Sequence, residues 1–574
     1  MEKRALLALA LSFAVFMLFL FFGEKLKKPL PPESPTAKST ARPETSPAAP
    51  VQAPPAAPVQ ARPATPPPPP AARPPAARPA RDVVVETPLF KAVFTELGGR
   101  LKSFQLKKYR QALPATPISR FQLGPVDFEM ERYLDPNKNG TPPKELVRAG
   151  KSQDLPLSLG WEGKNLTVPA LLPYQASQPQ LTLKPGESAT LKLTCVSPEG
   201  LTLTKTFTFK SDNYSFDLAV KVANHTRQPL EGYLDLDLTA NYAGEESSRY
   251  NFLGFHASVN HRLEQIKTGS LKEFKTFTGK IDWASLDEGY FLTAIVPLAA
   301  PKTLLTLKEV LPSSMVATLR SPMEALAPGQ EAQLSYALYF GPKDLEDLKP
   351  LNLGLERSVD FGWFDLLGKP LLYVMKFFDR YTHNYGWSII ILTFLIRLVF
   401  FYPNHKSYVS MKAMQKLQPR VAELRQKYKD DKETMNKELM GLYRTFKVNP
   451  LGGCLPMVLQ LPVFIALYNV LGYAIELRHA PFISTLPFTD IVWLSDLSAK
   501  DPLLITPLIM GATMFVQQKM TPSPGDPTQA KMMMFLPLIF TFLFLNFASG
   551  LVLYWLVNNV LSIIQQHYTN KYLT

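Results

Sequence analysis

Residues 387–402 read WSIIILTFLIRLVFFY, an apolar run that predicts a membrane-spanning helix. Its one charged residue is Arg397, whose guanidinium stays protonated in proteins. A charge at membrane depth costs at least about 2.5–3.5 kcal/mol. No acidic residue lies in the centre of any predicted span, so we expect Arg397 to face a water-filled cavity or an incoming polar group. Snorkelling is the simpler alternative, because Arg397 lies roughly 8 Å from the predicted end of the helix.

Further apolar runs predict the rest of a helical bundle. They lie at residues 452–475, 502–519, 532–546 and 548–566. With a span at 386–402 they make five core transmembrane helices, several of them short enough to suggest local thinning of the bilayer. Residues 1–23 contain an apolar run from Ala5 to Phe22 without a small-residue cleavage site. This predicts an uncleaved N-terminal anchor helix.

A linker and a large β domain separate the anchor from the bundle. Residues 24–81 are rich in proline and alanine, which favours an extended spacer without a core. Between residues 82 and 350 apolar and polar residues alternate, as Leu201, Leu203 and Phe207 do with threonines. This alternation predicts an all-β antiparallel sandwich. A carbohydrate-active site is conceivable on such a fold, but no catalytic cluster on its polar face supports one.

Two more segments are predicted to be helical. Residues 354–369 place Leu355, Val359 and Trp363 on one face, which predicts an amphipathic helix at the membrane interface. A terminal helix packed on the β domain is the alternative. Residues 404–449 repeat apolar residues at three- and four-residue spacing, which predicts an antiparallel helical hairpin with a bend at Pro419. Its basic face could also contact ribosomal RNA or anionic lipid.

The distribution of charge predicts the orientation of the chain. The net charge is +14, but residues 404–449 alone carry 11 Lys and Arg against 5 Asp and Glu, while 477–500 carry only Arg478 and Lys500 as cations. The positive-inside rule therefore makes the hairpin cytoplasmic. Counting spans from it predicts an outer β domain and two cytoplasmic termini. Because the charge is uneven, the net value does not predict DNA binding.

The sequence predicts no metal, nucleotide or disulfide site. Cys195 lies in the β domain and Cys454 in an apolar span, so they are not expected to pair. No Cys/His metal spacing and no phosphate-binding glycine loop is present in the sequence. We therefore expect a protein without cofactors that is not an enzyme.

Five segments in matching order resemble the YidC membrane protein insertases of Gram-negative bacteria, relatives of the mitochondrial and chloroplast insertases. They are WSIIILTFLIR (387–397), GCLPMVLQLP (453–462), DP (501–502), MGATMFVQQKM (510–520) and SGLVLYW (549–555). The resemblance covers nearly the whole chain apart from the linker. It implies a periplasmic supersandwich and a hydrophilic groove that is open to the cytoplasm and to lipid but closed toward the outside.

The resemblance and the polar residues within the spans give six candidate groove residues. They are Arg397, Thr393, Gln460, Gln518, Tyr554 and Trp555. Arg397 matches the family's groove arginine, and Tyr554 and Trp555 match its aromatic substrate-contact region. Trp555 replaces a second tyrosine found in some relatives. An aromatic belt at the membrane interface is the alternative for this pair.

The expected function is insertion and folding of integral inner-membrane proteins, alone or with the Sec translocon. Nascent membrane proteins are the expected partners, together with membrane lipids and, by resemblance, the Sec translocon and the SecDF complex; the ribosome is a further candidate. The expected location is the bacterial inner membrane, crossed several times. Two alternatives stay open: a transporter or channel that binds a small anion at Arg397, with the β domain as an external receptor, and a structural assembly factor.

Overall fold

A computed structural model describes residues 80–572, with gaps at 112–115, 124–125, 133–140, 149–153, 243–251, 272, 299–302, 312–313, 430, 447, 449–454 and 522–526. The predicted anchor at 1–23 and nearly all of the predicted linker at 24–81 lie outside the described residues.

The described part of residues 82–342 forms a series of strands. They are β1 Asp82–Glu86, β2 Phe90–Thr95, β3 Arg100–Arg110, β4 Thr116–Leu123, β5 Val126–Arg132, β6 Pro143–Glu145, β7 Ser158–Gly163, β8 Thr167–Val168, β9 Gln175–Ala176, β10 Gln180–Thr182, β11 Ser188–Val196, β12 Leu201–Lys210, β13 Ser215–Asn224, β14 Leu230–Asn241, β15 Leu253–Val259, β16 Arg262–Lys267, β17 Lys275–Phe277, β18 Ile281–Glu288, β19 Phe291–Pro297, β20 Leu304–Leu311, β21 Ser314–Arg320, β22 Glu324–Leu326 and β23 Glu331–Pro342.

Most of these strands pair in three sheets. A five-stranded sheet has the order β10-β1-β2-β3-β6, and a nine-stranded sheet has the order β16-β15-β18-β19-β23-β13-β12-β11-β9. A seven-stranded sheet has the order β17-β20-β21-β14-β7-β8, with β22 also paired to β14. The described pairings between these strands are antiparallel except for β1 with β10. The predicted large antiparallel β domain is confirmed.

The alternation along β12 decides what lies in the core. Leu201, Leu203, Phe207 and Phe209 are at most 1% exposed. Lys205 occupies the same face and is also fully buried, and its Nζ donates to the carbonyl oxygens of residues 98, 99 and 157 at 2.8, 3.0 and 2.7 Å. Burial, helped by a neighbouring arginine, lowers the pKa of Lys205 to about 7. The buried Lys205 side chain thus ties β12 to two other backbone segments, at residues 98–99 and at residue 157.

The remaining described residues are mainly helical. The helices are α1 Leu345–Leu348, α2 Asp365–Thr382, α3 Tyr385–Val399, α4 Phe401–Lys427, α5 Lys432–Thr445, α6 Leu455–Tyr473, α7 Ile505–Met520, α8 Pro527–Phe544 and α9 Ser549–Tyr572. A short hairpin of β24 Ile483–Thr485 and β25 Val492–Leu494 lies between α6 and α7.

The segment predicted as one amphipathic helix at 354–369 is divided differently. Short 3-10 turns at Leu355–Ser358 and Gly362–Phe364 precede α2. Leu355 and Val359 are buried, whereas Trp363 is 99% and Leu366 is 87% exposed. The predicted apolar face is therefore split: its first part packs inside the protein and its second part faces outward from the start of α2.

Helices α3, α6, α7, α8 and α9 occupy the five predicted spans with shifted ends. Within the described residues, no single helix is both long enough and apolar enough to qualify as a membrane span. One bent pair, α3 with α4 at an angle of 61°, qualifies when the two are taken together. The five spans and their topology stay predictions.

Helices α4 and α5 form a hairpin with its own small core. Val421, Met435 and Leu439 are buried against each other, and further apolar side chains from both helices cover them. The Asp431 side chain begins α5 by accepting hydrogen bonds from two backbone N–H groups of the first turn. Pro419 lies inside α4, whose helical bounds run on past it.

Buried charges join the β domain to the helices. Lys376 of α2 lies 3.0 Å from Asp344, which follows β23, and 3.0 Å from Glu476, which follows α6. Burial alone would lower the pKa of Lys376, but the attraction of Glu476 and Asp344 outweighs it and raises that pKa. The hydroxyl of Tyr290 in the β domain also donates to the carbonyl of Gly472 in α6, at 3.2 Å. These contacts hold the described β domain against α2 and the end of α6.

Candidate functional site

Arg397 lies in the last turn of α3 and is partly buried. Asn384 caps the start of the helix, because its side chain accepts from the N–H groups of the first turn. From this start, three and a half turns of apolar residues carry Arg397 to the far end of α3. Its guanidinium therefore lies where α3 gives way to α4.

The guanidinium is hydrogen-bonded to α9. Nε donates to Oδ1 of Asn558 at 2.8 Å, and a terminal nitrogen donates to the backbone oxygen of Asn558 at 3.1 Å and to the hydroxyl of Ser562. None of these acceptors carries a charge. These acceptors therefore bind some of the N–H groups of Arg397 without neutralising its positive charge.

The sequence predicted that Arg397 would lack an acidic counter-ion and would face a water-filled cavity or an incoming polar group. The contacts described for it go to two neutral residues, Asn558 and Ser562, that were not predicted as its partners. Asn558 and Ser562 are four residues apart and so lie on one face of α9. Two polar residues at that spacing in an apolar run were the signal that could have identified them.

Asn558 connects three helices. Its Oδ1 atom also accepts from Nε2 of Gln460 in α6, at 3.2 Å. Asn558 is 9% exposed, so its acceptor is largely withdrawn from solvent. Of the six residues predicted for the groove, Arg397 and Gln460 thus meet at one atom of α9. We call Arg397, Gln460, Asn558 and Ser562 the polar centre.

Thr393 and Gln518 are not hydrogen-bonded to the polar centre. Thr393 lies one turn before Arg397 but is fully buried, and its hydroxyl donates to the carbonyl of Ile389 at 2.6 Å. Gln518 is in α7, and none of the hydrogen bonds described for Arg397 or Asn558 reaches it. Lining a groove with the buried Thr393 requires a different arrangement of the helices, whereas Gln518 is partly exposed on α7.

The two predicted contact aromatics pack inside the bundle. Tyr554 is only 2% exposed. The ring of Trp555 lies 4.8 Å from that of Phe464 in α6 and 5.1 Å from that of Phe544 in α8, between centroids. Trp555 thus joins α6, α8 and α9 through aromatic contacts. A passing helix cannot touch Tyr554 unless the helices around it move.

A strip of buried polar side chains continues along α9 from the polar centre. Its members are Asn559, Gln565, Gln566 and Thr569, each less than 9% exposed. Gln565 donates to the carbonyl of Phe401 at 3.0 Å, and Gln566 donates to the carbonyl of Met520 at 2.8 Å. These residues were not among the six predicted for the groove. The strip leads from Arg397 toward the start of the α4–α5 hairpin.

The opposite end of the bundle is closed by a compact loop. Asp501 is fully buried; its carboxylate accepts from the N–H of Thr506 at 2.6 Å and from the indole of Trp493 at 3.0 Å. The backbone N–H groups of Ser549 and Gly550 donate to carbonyls of the same loop, at 2.7 and 2.9 Å. These bonds tie the start of α7 to the start of α9.

The polar centre is suited to binding rather than to bond chemistry. A guanidinium and neutral amides can hold a carboxylate or a peptide carbonyl. In the part of the chain that the structure describes, no group of three His, Cys, Asp or Glu residues is placed to hold a metal ion.

Two family models match consecutive parts of the chain. Residues 126–374 match the YidC periplasmic domain, and residues 377–574 match the 60Kd inner membrane protein family. The boundary between them falls inside α2. The match to the periplasmic domain thus extends past β23 and into the first half of α2.

Curated relatives match over the full length. The chain is 40% identical to the membrane protein insertase YidC of Syntrophus aciditrophicus, with all of both chains covered. It is 43% identical to that of Geobacter sulfurreducens, with 100% of this chain and 98% of the relative covered.

Solved structures match less closely. An active YidC insertase, with its first transmembrane domain resolved, is 16% identical and has a TM-score of 0.36, over 86% of this chain and 93% of the other. A galactose mutarotase-like protein from Lactobacillus casei has a TM-score of 0.28 at 12% identity, over 45% of this chain and 99% of the other. Identity over the full length of the curated relatives decides the assignment: the chain belongs to the YidC membrane protein insertase family.

Proposed function

We propose that this chain inserts integral proteins into the bacterial inner membrane and that its polar centre receives the polar segment of the client. Family membership supports the activity. The site is supported by one observation: among the described residues, the hydrogen bonds of the Arg397 guanidinium go to neutral groups of a helix in an otherwise apolar bundle. The activity needs no bond to be made or broken, so the proposal includes no enzymatic step.

Replacing the neutral acceptors of Arg397 with groups of the client favours a client with an acidic segment. A hydrogen bond with one ionised partner is about twice as strong as a neutral one, so the charge of Arg397 already strengthens its bonds to Asn558 and Ser562. A carboxylate adds a second charge and can accept two bonds from one guanidinium. A client carboxylate in place of the acceptors of Asn558 and Ser562 would therefore add an attraction between opposite charges that these neutral groups cannot supply. The same carboxylate alone in hydrocarbon is costly. Arg397 lowers this cost without giving up its proton.

The strip on α9 gives the client a route to the polar centre. An entering tail can exchange hydrogen bonds with Gln565, Gln566 and Asn559 in turn, because each now bonds to a neighbouring helix. Parting α9 from α4 and α7 along this strip would open a groove lined with amides. Thr393 and Gln518 would join its lining in that arrangement. The apolar helix of the client would then leave toward lipid past Tyr554 and Trp555.

We propose the orientation given by charge. The α4–α5 hairpin and both termini are cytoplasmic, and the β domain is periplasmic. The loop around Asp501 then closes the outer end of the groove. Trp363, Leu366 and Phe377 are exposed along α2 and its start, which suits a helix lying at the outer membrane interface. Nascent membrane proteins are the clients, and the Sec translocon, the SecDF complex and the ribosome are proposed partners.

Proteoliposomes that contain only this chain test the proposal. A client with a short acidic tail should insert, so that its tail becomes protected from added protease. Arg397→Ala should reduce protection of the acidic client more than that of a neutral-tailed client, and Arg397→Lys should restore part of it. Uptake of small anions without insertion would instead support the transporter alternative, which family membership does not favour. If the proteoliposomes show neither insertion nor anion uptake, only a structural assembly role is left.

A further inference from the structure

The hairpin between α6 and α7 has an apolar tip that the proposed function does not use. Phe488 at this tip is fully exposed, and its backbone has a φ of 66°. Ile491 beside it is 39% exposed, and Leu486 is partly exposed. An aromatic residue rarely adopts the left-handed region, and the strain persists only where the surroundings impose it. The fold thus holds a large apolar side chain outward at some cost.

The base of this hairpin is fixed to the start of α3. Nδ2 of Asn384 donates to the carbonyl of Phe482 at 3.0 Å, and the ring of Phe482 lies 5.9 Å from that of Trp387 between centroids. A Cβ atom at Gly386 would overlap the Phe482 ring, so this close approach requires glycine. The antiparallel pairing of β24 with β25 then extends from this fixed base to the tip.

The helix lengths set the level of this hairpin in a bilayer. With 15 residues in α3 and 16 in α7, the helices are roughly 22 and 24 Å long at ~1.5 Å per residue. The hydrocarbon layer is about 30 Å thick. Helices this short end at or inside its edge when they span it. A hairpin attached to the start of α3 then lies beside the outer headgroups.

Neighbouring aromatic residues continue the exposed surface. Trp387 in the first turn of α3 is 53% exposed, and Tyr381 near the end of α2 is 71% exposed. Tryptophan and tyrosine concentrate at the membrane–water interface. The hairpin tip has no cation, since Asp490 is the only charged residue between β24 and β25. Lipid is therefore a better occupant for this tip than an acidic protein surface.

We propose that Phe488, together with Leu486 and Ile491, inserts into the outer leaflet between headgroups and acyl chains and anchors the outer end of the bundle. This inference rests on the orientation given under the proposed function. The anchor fixes the depth of α3, and with it the depth of Arg397 at the other end of that helix. The ligand is the phospholipid surface itself.

A fluorescent label measures the depth of the tip. Phe488→Cys is made in a Cys195→Ser/Cys454→Ser chain, labelled with an environment-sensitive dye and reconstituted in phosphatidylethanolamine/phosphatidylglycerol vesicles. Phe274→Cys is the matched control, because Phe274 is an exposed phenylalanine (69%) on the β domain. The label at 488 should emit at shorter wavelength, and a nitroxide high on the acyl chain should quench it at least twofold more than the control. Equal emission and quenching at the two sites would overturn the proposal.

A second variant separates anchoring by Phe488 from insertion of the dye. With the label at Ile491→Cys, Phe488→Trp should keep the quenching and Phe488→Asp should remove most of it. Unchanged quenching with Asp would show that Phe488 is not the anchor. Both readouts are independent of client insertion, so an inactive groove leaves them unaffected. A partner protein cannot cause the signal, because the vesicles contain only this chain.

Discussion

Replacing Asn558 with leucine removes the acceptor shared by three helices. Oδ1 of Asn558 accepts from Arg397 at 2.8 Å and from Gln460 at 3.2 Å. A hydrogen bond to a charged group contributes about 1.5–3 kcal/mol and a neutral one about 0.5–1.5 kcal/mol. Because Asn558 is 9% exposed, water replaces neither bond fully. Asn558→Leu should therefore lower the free energy of unfolding by about 2–4 kcal/mol.

A double-mutant cycle isolates the bond to the guanidinium. Arg397→Met, Asn558→Leu and the double variant are unfolded by sodium dodecyl sulfate titration in mixed micelles. The two changes should couple by about 1.5–3 kcal/mol, since either one alone breaks the same bond. Asn559→Leu is the control, because Asn559 donates to Thr513 instead. Additivity of Arg397→Met and Asn558→Leu within about 0.5 kcal/mol would refute the reasoning.

Three further changes test other parts of the structure. The folded pKa of Lys205, about 7, lies below the unfolded value of about 10.4, so the unfolded state binds more protons between these values and stability rises with pH there. Amide-exchange protection of β12, corrected for the intrinsic exchange rate, should therefore increase from pH 7 to 9 by up to about 2–3 kcal/mol in the natural chain but not in Lys205→Met. The same pH dependence of protection in both chains would contradict this. Lys376→Ala leaves Glu476, whose side chain is 6% exposed, without its closest described cation, and should lower the free energy of unfolding by about 3–5 kcal/mol in thermal unfolding experiments. Adding Glu476→Gln should recover part of this stability. Unchanged stability in Lys376→Ala would count against a structural role of the buried Lys376–Glu476 pair. Asp501→Ala removes the acceptor of the Thr506 N–H and should loosen the first turn of α7 by about 1–2 kcal/mol in hydrogen exchange. Unchanged exchange would show that the Asp501 carboxylate is dispensable for this turn.

The alternation of apolar and polar residues predicted the β domain, because in a strand this alternation follows which side chains are buried. Leu201, Leu203 and Phe207 point inward since successive side chains of a strand alternate between faces. The same pattern places Lys205 inward, but it does not reveal three carbonyl acceptors from distant turns. Such acceptors depend on tertiary structure, which sequence spacing cannot supply.

The candidate site was predicted in part. Arg397 was identifiable because a charge among apolar residues is costly, and Gln460 because it is polar within a span. Asn558 was missed because neutral amides were not weighed as partners for a cation. Burial of Tyr554 could not be predicted, since the sequence does not say which face of α9 the other helices cover.

Sequence periodicity also misplaced the boundary of the amphipathic segment. Leu355 and Trp363 share a face only if one helix runs through both, and the glycines at 354 and 362 adopt positive φ angles of 75°. These positions start separate turns instead. The outward-facing apolar surface therefore begins at Trp363 and continues along α2.

Photo-crosslinking from a stalled client tests most directly whether Arg397 receives polar segments. The client carries one photoreactive residue beside an acidic tail residue, and adducts are mapped on the reconstituted chain by mass spectrometry. We predict adducts on α3 and α9 around Arg397 and Asn558, lost with Arg397→Ala and kept with Arg397→Lys. Adducts that are equally abundant in the natural chain and Arg397→Ala, or that lie elsewhere for acidic tails, would contradict the account.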